Sequence, residues 1–162
     1  MVAVLLFSGS PTVGAPLSPL VAEVSAAEAE TAKALDAIKA DFPRPPEVQI
    51  PPQDKPMVSS VNKSRLIDPQ NNPQMRDLYE KYKRNAGTFQ VKSLAQNCRI
   101  MRNDLARDIP FQQNIVATSS PTSSATRDQY YVAKANLDWL QQQLTPWLDR
   151  ASALLPSVPA KG

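Results

Sequence analysis

Between Tyr130 and Leu154 the apolar side chains recur at strictly alternating steps of three and four: Tyr130, Ala133, Leu137, Leu140, Leu144, Trp147, Ala151 and Leu154. That spacing keeps one side of an α-helix apolar and would scatter the same residues over both faces of a strand. At the helical rise the stripe is about 36 Å long, so it needs other helices along most of its length. The pattern predicts a helix packed on a core, and Thr126 with Gln129 has the capping-box spacing that would start it. Pro146 interrupts the run. Thr145 can cap a fresh start there, which predicts a kink that keeps the stripe facing its cover.

Two further helical segments precede it. Asn72 followed by Pro73 reads as a cap and first helical position, and Met75, Leu78, Tyr79 and Tyr82 make an apolar face. Gly87 in "KRNAGTF" marks an end or a bend. Beyond it Val91, Leu94, Cys98, Met101 and Leu105 give a second face running towards Ile109, and Pro110 is expected to stop the helix. Residues 73 to 109 are thus predicted as one bent helix or two abutting ones. Upstream, Ser25-Ala26-Ala27-Glu28 has capping-box spacing and predicts an alanine-rich helix over residues 26 to 41, with Leu35, Ile38 and Phe42 on its apolar side.

Between the first and second helices lies "DFPRPPEVQIPPQDKP", residues 41 to 56, with six of the chain's sixteen prolines. Proline at this density favours an extended chain, about 50 Å long over such a stretch. Phe42, Val48, Ile50 and Met57 interrupt it, which a merely solvated spacer would not require. Residues 42 to 71 are therefore expected to form a strap pegged by those side chains to a surface, either of this chain or of a partner. A plain exposed linker is the alternative. The run "TSSPTSSAT" (118 to 126) has seven hydroxyl residues in nine and reads as a mobile connector.

Composition narrows the chemistry. The chain has no histidine, four glycines and one cysteine. Without histidine, acid–base and metal work at neutral pH lose their commonest side chain. Cys98 has no histidine to activate it and no second cysteine to pair with, so it reads as a small apolar residue. Asp104 and Asp108 sit one turn apart near Arg102 and Arg107, the pattern of a solvated helix face. No phosphate loop, serine elbow or zinc motif appears, and no enzyme activity and no cofactor or metal are expected.

Charge is distributed unevenly. Residues 1 to 32 contain three glutamates and no basic residue, whereas positions 76 to 107 carry eight basic residues against three acidic ones. A net +5 in one helical stretch seeks an acidic protein or an anionic surface. Nucleic acid is not expected, because a larger basic excess and a recognisable module would be needed. Tyr79, Tyr82, Lys83 and Arg84 on this helix, with Phe42 and Ile50 in the strap, are the expected partner contacts.

The opening run "MVAVLLF" is far short of the roughly 20 residues that span a bilayer. It resembles the end of a secretory signal, with small-x-small sites at Val13-Gly14-Ala15 and Val24-Ser25-Ala26, yet the first basic residue is Lys33. Residues 1 to 25 are expected to be a targeting remnant or an apolar docking arm. The targeting reading implies export to a periplasm or an organelle lumen.

A lumenal address, a proline-rich leader, "MRNDL" at 101 to 105 and "RDQYY" at 127 to 131 together resemble the extrinsic lumenal subunits of photosystem II, the Q-type helical-bundle protein in particular. The resemblance implies a cofactor-free subunit on the lumenal face of the complex that supports oxygen evolution. The family places a longer helix between the two motifs than this spacing allows, so no binding residue is carried over.

The chain is accordingly expected to be all-α, a helical hairpin or three-to-four-helix bundle with an extended proline-rich N-terminal strap. Its helical domain spans 72 to 155, and 156 to 162 form a tail. The expected role is a non-catalytic accessory or assembly subunit of a larger membrane protein complex, held peripherally from the thylakoid lumen or periplasm without a transmembrane helix of its own. A free periplasmic helical adaptor or chaperone is the alternative.

Overall fold

The computed structural model describes residues 19 to 52 and 65 to 157. Met57, the rest of the strap between those segments, and most of the expected targeting remnant and tail lie outside the described residues. The fold is all-α, built from four helices and one small two-stranded ribbon. Helix α1 is Pro19–Ala40, strand β1 is Val48–Ile50 and strand β2 is Arg65–Ile67. Helices α2 (Pro73–Gly87) and α3 (Leu94–Thr118) follow. The last rod joins α4 (Arg127–Asp138), a π-helical turn (Trp139–Leu144) and α5 (Thr145–Ser152) without a break.

Several of these boundaries correct the sequence expectation. Helix α1 begins before the Ser25–Glu28 box, so that box lies inside the helix and starts nothing. The predicted start at Asn72 holds: its side-chain oxygen accepts from the Met75 amide at 3.1 Å, with Pro73 behind it. Thr126, expected to cap α4, makes no such bond and instead accepts the Ser120 amide. The connector before it is thereby tied together, since Ser119 donates to the Ile115 carbonyl and the Arg127 amide donates to the Ser123 carbonyl. Its hydroxyls act as local backbone partners, an option open to short polar side chains.

Pro110 does not end α3, which runs eight residues further. A proline removes one backbone bond and crowds the turn before it, a cost that packing can offset. Here Gln112 is buried beyond the proline, and Ile115 and Val116 are half-buried. Pro146 is accommodated by a different device. The Thr145 amide and hydroxyl both reach back to the Leu140 carbonyl, the hydroxyl at 2.8 Å, so the chain widens into a π turn and continues. The widened rod buries neighbours in pairs, Trp139 with Leu140 and Trp147 with Leu148.

Helices α2 and α3 are antiparallel, since Asn85 meets Asp104 and Tyr82 meets Asp108. The predicted bend at Gly87 is thus a full reversal. Helices α3 and α4 are also antiparallel, joined across a buried amide cluster in which Asn136 contacts Gln112 and Asn72. The end of α1 lies beside α5 in the same direction: the Trp147 indole donates to the Ile38 carbonyl at 2.7 Å and Arg150 pairs with Asp41 at 2.9 Å. At the centre Trp139, Trp147, Tyr82, Phe89, Met101 and Leu144 are fully or almost fully buried. Full burial of one such apolar side chain stabilises by roughly 1.5–3 kcal/mol.

The ribbon is the element that sequence reading did not include. Val48 pairs with Ile67 and Ile50 with Arg65 in antiparallel register. Within residues 41 to 56 the longest proline-free run is Glu47 to Ile50. A ladder needs amide donors, so the strand forms where they exist. Val48 and Ile50 are buried and Gln49 is exposed, the alternation of a half-covered strand.

Candidate contact surface on the basic helix

Each α2 side chain follows from its position on a two-sided helix. Met75, Tyr82 and Ala86 face the core, and Arg76, Lys83 and Arg84 face out. Between α2 and α3 lies a line of polar contacts. Asp108 receives Lys81 at 2.5 Å and the Tyr82 hydroxyl at 2.6 Å, while Asp104 receives Asn85 at 3.1 Å and Arg107 at 3.0 Å. Burial pushes the Tyr82 phenol far above its ordinary range, and the bond to Asp108 adds to the effect. Tyr82 therefore stays neutral and donates.

This corrects the reading of Asp104 and Asp108 as a solvated face. Their side chains are only 18% and 14% exposed, turned towards α2. Arg102, expected beside them, turns the other way and meets Asp149 and Ser152 on α5. Sequence spacing puts residues one turn apart on one side of a helix, but only the crossing of the neighbouring helices decides which side is covered.

The six expected contact residues divide. Tyr82 is fully buried and Ile50 nearly so, and both are core residues rather than surface contacts. Phe42 is half-buried and stands edge-on to Trp147 with ring centres 5.1 Å apart, with Tyr79 at 5.9 Å. Phe42 thus packs on this chain's own bundle, and Val48 and Ile50 of β1 are buried. Tyr79 is half-buried, its ring covered by the Lys83 ammonium at 5.4 Å. Lys83 and Arg84 are exposed. The structure therefore brings Lys83 over Tyr79, leaves Arg84 exposed, and draws Phe42, Ile50 and Tyr82 inward.

Elsewhere several exposed cations are already engaged, while Lys33, Arg44, Lys92 and Arg99 are exposed and have no carboxylate within salt-bridge distance among the described residues. Arg65 pairs with Asp128, Arg102 with Asp149, Lys134 with Asp138 and Arg150 with Asp41. Lys83 and Arg84 have no carboxylate within salt-bridge distance among the described residues. Lys39 extends the basic region from α1, donating to the Gly87 and Phe89 carbonyls at the end of α2. Among the described residues no group of His, Cys, Asp and Glu is arranged to hold a metal ion, and Cys98 is free and buried. Nor is any described helix long and apolar enough to cross a membrane.

Sequence reading missed three exposed apolar side chains, Leu66 at 62%, Phe111 at 61% and Ile100 at 43%. Phe111 directly follows the proline at which α3 was expected to stop, and so was assigned to no face. A helical projection carried through Pro110 would have found it beside Ile100.

Comparison of the chain with protein-family models, curated proteins and solved structures finds no match.

Proposed function

We propose that the chain is a non-catalytic accessory or assembly subunit that binds a larger membrane protein complex electrostatically, on its lumenal or periplasmic side, with a photosystem among the candidates. The observation that carries this reading is the contrast on α2: Lys81 is neutralised by Asp108, whereas Lys83 and Arg84 stand exposed without a carboxylate among the described residues. Exposed cations that make no internal pair keep their attraction for an acidic partner and add to its rate of encounter. Tyr79 beneath Lys83 supplies a flat apolar surface beside the charge. Asp104 and Asp108, between α2 and α3, are filled by donors from the same chain, which favours a recognition role for this region over acid–base work.

The test is affinity purification from source membranes followed by a stepwise salt wash. One stoichiometric complex should be retained at low salt and released at high salt, because exposed charge pairs are screened. The K83E/R84E variant should elute at distinctly lower salt with unchanged helical content. Recovery of the wild-type chain alone at every salt concentration would exclude an electrostatically held subunit.

A further inference from the structure

Helices α2 and α3 form a hairpin whose tip carries charge of one sign. Residues 81 to 103 contain six basic residues and no aspartate or glutamate. Acidic side chains return only away from the reversal, at Asp77 and Glu80 on α2 and at Asp104 and Asp108 on α3. Of the six cations, Lys81 is neutralised by Asp108 and Arg102 by Asp149. Lys83, Arg84, Lys92 and Arg99 are exposed and have no carboxylate within salt-bridge distance among the described residues. Lys39 brings a further ammonium from α1, held at the reversal by the Gly87 and Phe89 carbonyls.

We propose that this tip rests on an anionic lipid surface, so that the hairpin stands end-on against a membrane. The inference goes beyond the binding of a protein complex and does not depend on it. A protein interface is centred on apolar or aromatic side chains that the partner buries. At this tip Ala86, Phe89 and Leu94 are already spent in the chain's own core, and Gly87, Thr88 and Gln90 face out. Ile100, 43% exposed beside Arg99, borders the tip and is too little to centre such an interface. A headgroup layer needs neither an anchor nor a matching shape, because it attracts any cation that comes within a Debye length. Cations spread over α2, α3 and the turn between them, with no acidic residue among them, fit that requirement. Contact is electrostatic and reversible, since no described helix is apolar enough to enter the bilayer.

The experiment is co-sedimentation of the full chain with phosphatidylcholine vesicles that contain about 30% phosphatidylglycerol, and with phosphatidylcholine vesicles alone. Binding is expected only to the anionic vesicles, at about 50 mM salt, and should be lost near 500 mM. Each Lys or Arg near such a surface is worth about fivefold in partitioning, so K92E/R99E should weaken binding at least twentyfold with unchanged helical content. The control is R65E/K134E, which changes the net charge by the same amount at residues away from the tip and should weaken binding less than about threefold. No binding to anionic vesicles would overturn the proposal and leave the tip to an acidic protein. Equal binding to both kinds of vesicle, or equal weakening by the two double variants, would overturn it as well. The vesicles hold no protein and the variants spare Lys83 and Arg84, so failure here is distinct from failure of the salt-wash test.

Discussion

Tyr82 on α2 donates a hydrogen bond from its hydroxyl to Asp108 on α3 across 2.6 Å, and the buried phenol meets the ring of Trp139 edge-on with centres 6.2 Å apart. A buried donor on one helix and a carboxylate on the next fix how α2 lies against α3, and so hold the exposed Lys83 and Arg84 in place on the opposite side of α2.

That bond gives the fold an alkaline limit. Because burial and Asp108 hold the phenol protonated far above its ordinary value of 10.0, the unfolded chain loses this proton at a lower pH than the folded one. The contribution is complete below pH 10 and falls as pH rises above it, by about 1.4 kcal/mol per pH unit for one group. Tyr82→Phe should lower stability at pH 7 by about 1–2 kcal/mol and should show a shallower decline between pH 10 and 11.5. Urea denaturation of both proteins across that range checks it, and parallel slopes would mean that Tyr82 titrates freely.

Gly87 closes α2 without using glycine's freedom. Its backbone is not in the left-handed region, and a Cβ built there meets nothing within 4 Å. Gly87→Ala should therefore stabilise by about 0.5–1 kcal/mol, since alanine restricts the unfolded chain and favours the helix. Thermal melting should show a rise, and a fall would indicate that the reversal needs a conformation alanine resists.

How much of this was legible beforehand depends on whether local or tertiary forces decide each feature. The apolar stripe of the last helix, the Asn72–Pro73 start and the core position of Cys98 rest on short-range periodicity and capping, and the structure agrees with them. By local cost alone Pro110 is expected to stop its helix and Pro146 to kink its own. In the fold, residues packed beyond Pro110 carry the helix past it, and a π turn absorbs Pro146. Tyr82 and Arg84 lie two residues apart in the same basic run, yet one is core and one is surface. Composition marks the run as basic, and the crossing with α3 decides which of its members meet solvent.

The two buried tryptophans separate packing from hydrogen bonding. The Trp147 indole donates to the Ile38 carbonyl, whereas the Trp139 indole nitrogen is buried without a hydrogen-bond partner among the described residues. Replacement by phenylalanine removes similar volume at both sites, but at 147 it also removes one hydrogen bond, leaving the Ile38 carbonyl with the Asp41 amide alone at 3.1 Å, and at 139 it removes an unsatisfied donor. Trp147→Phe should cost about 1–2 kcal/mol more than Trp139→Phe in chemical denaturation. Equal losses would show that the bond to Ile38 contributes nothing.

Asn136 joins three parts of the bundle through one fully buried amide. Its oxygen accepts from Asn72 at 3.5 Å, and its nitrogen donates to Gln74 at 3.2 Å and Gln112 at 3.5 Å, so α3, α4 and the start of α2 meet at this side chain. Asn72 is committed in turn to the Met75 amide. Truncating Asn136 would leave the amides of Asn72 and Gln112 buried with fewer partners, and unpaired buried polar groups cost more than the bonds they lose. Asn136→Ala should destabilise by about 2–4 kcal/mol, with the denaturant slope unchanged, because the unfolding remains all-or-none. A loss below about 0.5 kcal/mol would show that water enters and replaces the amide, making the cluster a tolerated polar pocket and not the join between α2, α3 and α4.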